Sequence, residues 1–138
     1  MTDLQNTVKK DLLRIGIDLE KESIGISFDY NEMAFNTSYN TFVFEDNKGY
    51  HLYVLGDRSD GTDSVYKNRK ELLYQLYKQI TFTLSAKYTT EYKNNHEDDK
   101  TEWRLIMFKK QLELLEVLGT EYKQKRELEI SNLLRQNL

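Results

Sequence analysis

Cysteine and proline are both absent from this chain of 138 residues, and there are only six glycines and two histidines. Without cysteine there are no disulfides, no thiolate nucleophile and no cysteine-ligated zinc. Without proline, every helix stop must rest on glycine, a capping side chain or a polar cluster. No apolar stretch approaches the roughly 20 residues that a membrane-spanning helix requires. The start, Met1-Thr2-Asp3-Leu4-Gln5-Asn6, lacks the basic opening and apolar run of a secretory signal, so the expected location is cytoplasmic. An excess of positive charge is also missing. The formal net charge is −3, which argues against a protein that binds nucleic acid by neutralising phosphates. What remains is 38% hydrophobic and 31% charged, the composition of a folded globular chain with one real core.

Period and punctuation give an α+β reading with one domain over 1–138. Leu4, Val8, Leu12 and Ile15 stand at helical spacing, with Asp3 as the expected N-cap and Gly16 as the stop. Ile24, Ile26, Phe28 and Tyr30 then alternate with polar residues, the period of a half-buried strand. Two aromatic and β-branched runs, Tyr39 to Phe44 and Tyr50 to Leu55, flank the turn-forming Glu45-Asp46-Asn47-Lys48-Gly49. Both runs are apolar on both faces, as a covered sheet requires. Ser64-Val65-Tyr66 adds a short edge strand. From about Asn68 the period becomes helical, with Leu73, Leu76, Tyr77, Ile80, Thr83, Leu84 and Tyr88 on one broad face, widened by Leu72 and Phe82. The polar run Lys93 to Lys100 interrupts it. Thr101 then caps a helix with Leu105, Phe108, Leu112, Leu115 and Leu118 inward, and Gly119-Thr120 leads into a last helix. The expected architecture is an N-terminal helix, a mainly antiparallel sheet and three C-terminal helices packed on it. Leu76, Ile80, Leu84, Trp103, Phe108, Leu112 and Leu115 are expected to share one core.

Motifs for chemistry are scarce. Gly56 to Thr62 has the glycine spacing of a phosphate loop but no lysine to reach a phosphate, and its aspartates repel anions. Asp57, Asp60 and Asp63 could offer oxygens to calcium, but Gly61 is misplaced for an EF-hand, and a polar surface turn is the reading. His51 falls in a strand and His96 in a charged turn, neither with a companion at metal spacing. No serine occupies a glycine-flanked elbow. Trp103 opens an amphipathic helix and reads as a core anchor. No cofactor, metal site or catalytic residue is expected.

The strand Gly49-Tyr50-His51-Leu52-Tyr53-Val54 and the helix from Glu71-Leu72-Leu73-Tyr74 through Ile80-Thr81-Phe82 form an ordered series with Tyr88 and Glu91-Tyr92. The series continues with Trp103-Arg104, Phe108, Gln111, Leu114-Leu115, Glu129-Ile130 and Leu133-Leu134. In this order and spacing the segment from about Gly49 to the C-terminus resembles the immunity protein 63 family of bacterial polymorphic toxin systems. Asp57-Arg58-Ser59 departs from the family's acidic-Arg-Gly step, and Gly119-Thr120 stands where a proline turn is expected. The resemblance implies a cytoplasmic, non-enzymatic inhibitor of a cognate toxin domain encoded nearby. Its monomeric or homodimeric state is left open. The surfaces proposed for the toxin are the acidic clusters Asp57, Asp60, Asp63 and Glu97, Asp98, Asp99, Glu102, whose like charges a basic partner would relieve. Solvated loops with capping duties are the competing account of both clusters. Two other functions stay open: a regulatory or structural α+β module, homodimeric through its aromatic strands, and a small enzyme using scattered carboxylates.

Overall fold

The computed structural model describes residues 2–29, 39–56 and 61–136. Along them run α1 (Asp3–Leu13), β1 (Ile26–Ser27), β2 (Thr41–Asp46), β3 (Gly49–Leu55), β4 (Gly61–Tyr66), α2 (Arg69–Asn95), α3 (Trp103–Leu118) and α4 (Thr120–Gln136). The α+β order expected from the sequence is therefore the one observed. By contacts the chain divides into two compact units, Met1–Leu76 and Tyr77–Leu138, with the division inside α2.

In the first unit α1 is capped by Thr2, not by Asp3. Thr2 is extended and its hydroxyl accepts from the Gln5 amide at 3.1 Å. Asp3 already belongs to the first turn, where its charge suits the positive end of the helix. Arg69, at the start of α2, donates to the Asp3 carboxylate and to its carbonyl oxygen at 3.2 Å. Leu4, Val8 and Leu12 are buried, as their spacing predicts. The chain leaves α1 through Gly16 at φ 86°.

The sheet has the order β1-β2-β3-β4, with β1 parallel to β2 and the other pairs antiparallel. The strand read from Ile24 to Tyr30 is confined to Ile26–Ser27; Tyr30 lies outside the described residues. The hairpin is tighter than expected. Asp46 pairs with Gly49, so only Asn47 and Lys48 form the turn, and Asp46 Oδ1 accepts from the Lys48 amide at 2.8 Å. Gly49 has φ 137°, and a Cβ there would meet the Tyr66 carbonyl oxygen at 2.6 Å, so the position admits only glycine. Thr41, Val43 and Leu52 are buried on one face of the sheet, and Phe42 and His51 on the other. Burial on both faces explains the doubly apolar pattern of β2 and β3. The outer strand β4 is longer than the three residues expected and mostly exposed.

In the second unit Met107, Phe108 and Ile130 form a core with Ala86, Leu112 and Leu134 packed against it. Leu115 and Leu118 are buried as well. The N-cap position of α3 is taken by Glu102, which is extended and makes no side-chain capping bond, and the expected cap Thr101 lies one residue earlier with its amide donating to the Asp99 carboxylate at 2.8 Å. Gly119 ends α3 as expected, but its φ of 168° is ordinary extended backbone, and α4 follows at once from Thr120. The expected inward face of α3 needs correction. Its buried stripe is Met107, Phe108, Gln111, Leu115 and Leu118, centred on a glutamine. That phase puts Trp103 (39% exposed) and Leu105 (48% exposed) on the flank. Trp103 is therefore not a core anchor. Phe82 and Tyr88 of α2 are exposed too, while Thr81, Ser85 and Thr89 are buried instead. The Thr81 and Thr89 hydroxyls donate to the carbonyls of Tyr77 and Ser85, both at 2.7 Å, whereas the buried Ser85 hydroxyl has no hydrogen-bond partner among the described residues.

Candidate functional site

The last turns of α2 carry Tyr88 and Tyr92, and His96 follows one residue past the helix end at the same i, i+4 spacing. Their rings stack in series, Tyr88 on Tyr92 with centroids 6.2 Å apart and Tyr92 on His96 at 4.1 Å. The turn that follows is tied to this ladder. The Tyr92 hydroxyl donates to Asp99, the Asp99 amide donates to the His96 carbonyl at 2.9 Å, and Lys93 donates to the carbonyls of Asp99 and Thr101. Hydrogen bonds from Thr101 and then Tyr92 hold the Asp99 carboxyl far below its usual pKa, and the same bond to Asp99 raises the Tyr92 phenol. Asp99 thus fixes the turn as an anion.

Around this fixed turn the structure gathers four of the expected residues. Glu97 and Asp98 are exposed, and among the described residues neither forms an ion pair. Glu102 is exposed and meets Arg104 at 2.6 Å. Trp103 and Leu105 present exposed apolar surface next to them. A cavity of about 310 Å³ opens alongside, lined by Tyr88, Tyr92, Asp99, Leu105, Lys109 and Lys110 among others. Lys110 sits over the Tyr88 ring, 4.7 Å from its centroid, a cation–π contact that occupies one end of the aromatic face.

The other expected cluster is divided. Asp57 and Asp60 lie outside the described residues. Asp63 is in β4, and its carboxylate accepts from His51 Nδ1 at 3.0 Å. His51 Nε2 in turn faces Asp46 at 2.7 Å, and the imidazole stacks on Phe44 with centroids 4.4 Å apart. The sequence shows each of these residues but not their meeting, because the tight hairpin register decides it. Only the protonated imidazole can donate from both nitrogens at once. Burial alone would lower the His51 pKa, but the bonds to Asp46 and Asp63 outweigh it and the net shift is upward from 6.5. The His51 bond also holds Asp46 below its usual value. Because the folded-state pKa of His51 is raised, its stabilisation is full below pH 6.5 and is lost as pH rises through the folded value. Urea midpoints of the wild type should therefore fall as pH climbs above 6.5, whereas those of His51→Gln should stay level. Parallel profiles for the two proteins would contradict the paired arrangement.

Among the described residues no group of three or more His, Cys, Asp or Glu side chains is placed to hold a metal ion, and no helix is long and apolar enough to cross a membrane. The sequence model of the family described as Immunity protein 63 matches residues 46–132. The chain belongs to this family. The matched span takes in β3, β4, α2, α3 and most of α4, so it contains the α2–α3 turn, the aromatic ladder and the His51 pairing of this immunity protein. No curated protein and no solved structure matches the chain.

Proposed function

We propose that this immunity protein neutralises a cognate toxin domain, encoded nearby in a polymorphic toxin system, by direct non-catalytic binding in the cytoplasm. The surface is the α2–α3 turn with the start of α3. The observation that carries this reading is the exposure of Trp103 and Leu105 beside unpaired Glu97 and Asp98 on a turn held rigid by Asp99. Tryptophan and tyrosine dominate the energetics of interfaces, and a rigid turn loses little entropy on docking. The exposed carboxylates would steer a basic toxin during approach. Asp57, Asp60 and Asp63 enter the same proposal as the second group of partner-binding residues, of which Asp63 is engaged by His51.

The test is kinetic binding to the product of the adjacent toxin gene at two ionic strengths. Changing Glu97 and Asp98 to lysine should slow association by about tenfold or more at low salt and flatten its salt dependence. Reversal of Asp57, Asp60 and Asp63 in a separate variant measures the second cluster. Wild-type association rates for both variants would overturn acidic steering. A wild-type protein that neither binds the toxin nor rescues cells expressing it would overturn neutralisation by binding.

A further inference from the structure

β4 closes one side of the sheet, and its pairing fixes which of its backbone groups point away. The Leu55 amide donates to the Asn40 carbonyl at 2.8 Å, toward β2. Antiparallel ladders alternate, so Tyr53 and His51 also turn to β2, while Val54, Leu52 and Tyr50 turn to β4. Their register partners Thr62, Ser64 and Tyr66 thus complete the β3–β4 ladder. The N–H and C=O of Asp63 and Val65 consequently point outward, where no described residue takes them. Natural edge strands are commonly guarded by lysine, proline, a bulge or an inward charge. β4 has neither proline nor lysine, and its register runs unbroken over six pairs. Its one charge, Asp63, is drawn back onto the sheet by His51. Val65, 45% exposed, adds apolar surface to the same edge.

The geometry points to a second copy of this chain as the occupant, its β4 pairing antiparallel with this β4 about a two-fold axis at Ser64. Outward groups must face outward groups, and the registers of this kind that pair the most of β4 with itself are centred on Asp63 or on Ser64. The first opposes Asp63 to itself, a like-charge pair that costs stability. In the second, Asp63 faces Val65 of the other copy, the two Val65 side chains lie diagonally across the axis, and Thr62 faces Tyr66. Charge is complementary in this register as well. Lys67, just past the end of β4, falls diagonal to Asp63 of the other copy, whose cluster of Asp46, protonated His51 and Asp63 carries one net negative charge. An isologous pairing of this kind closes as a dimer, because each β4 edge is taken up by the other.

The absence of cysteine makes the register directly readable. Ser64 meets its own copy in a non-hydrogen-bonded pair, where Cβ atoms come within about 4.5–5.5 Å, close to disulfide reach. Ser64→Cys at micromolar concentration under mild oxidation should give mainly a covalent dimer. Thr62→Cys, which faces Tyr66, should remain uncross-linked. Equal cross-linking at both positions, or none at either, overturns the pairing. Val65→Pro removes an outward N–H without touching the β3 ladder, a change that edge strands tolerate. By sedimentation equilibrium it should weaken self-association by roughly tenfold or more, with an unchanged circular dichroism spectrum. A wild-type chain that stays monomeric at high micromolar concentration overturns the proposal. So does a monomer whose toxin binding, not self-association, is lost on Val65→Pro.

Discussion

Arg126→Ala is expected to lower stability by about 3–5 kcal/mol, the range for stripping one partner from a buried charged network. Arg126 is only 7% exposed. Its Nε donates to Gln111 Oε1 at 2.9 Å, its Nη1 lies 3.3 Å from Glu129, and its guanidinium sits over Phe108 at 5.5 Å from the ring centroid. Gln111, fully buried, donates onward from Nε2 to the Lys78 carbonyl at 3.1 Å and to Thr81 Oγ1 at 3.3 Å. One polar path therefore joins α2, α3 and α4 through the middle of the second unit. Removing the arginine takes its donor from the oxygen of the buried Gln111, which is where the cost arises. Removing both ends should be milder. In Arg126→Met with Gln111→Leu the Gln111 oxygen is removed together with its donor, Glu129 keeps Lys78, and the Thr81 hydroxyl still donates to the Tyr77 carbonyl. The double variant should recover most of the loss. Urea unfolding of the two single variants and the double one measures the coupling. Additive losses, or less than about 1 kcal/mol for Arg126→Ala, would show that the network does not hold the helices.

The same network explains where the sequence was legible and where it was not. The doubly apolar pattern of β2 and β3 and the helical spacing of Leu4, Val8 and Leu12 in α1 report burial directly, because both faces of those strands and one face of that helix carry buried residues. The change to helical period near Asn68 likewise locates α2. In α3 the rule fails, since its buried stripe is centred on Gln111 and a count of apolar residues rotates the face toward Trp103 and Leu105. Nothing in the periodicity marks Gln111 or Arg126 as inward; their partners come from two other helices. The acidic turn was visible as a run of carboxylates, but a run does not say which member is structural. Asp99 is the one bonded to Tyr92 and Thr101, leaving Glu97 and Asp98 outward. Tyr88, Tyr92 and His96 could have been read as a stacked ladder from their spacing alone.

Trp103 and Leu115 are expected to separate binding from folding. Leu115 is fully buried, and Leu115→Ala should cost about 2–5 kcal/mol, the sum of lost transfer energy and the cavity left behind. Trp103→Ala would carry a comparable cost if the tryptophan filled the core, as its place at the head of an amphipathic helix suggests. At 39% exposure, on the flank of α3, it should instead change stability by less than about 1 kcal/mol. The ranking inverts for the toxin. An exposed tryptophan beside Leu105 and free carboxylates has the composition of an interface anchor, and its truncation should weaken binding by about 2 kcal/mol, roughly thirtyfold in Kd. Leu115→Ala, measured at a temperature where it remains folded, should bind as the wild type does, because Leu115 offers no surface to a partner. Denaturant midpoints and calorimetric titration with the toxin give the two rankings independently. Trp103→Ala as unstable as Leu115→Ala would return the tryptophan to the core, and undiminished toxin affinity in that variant would move the interface away from the start of α3.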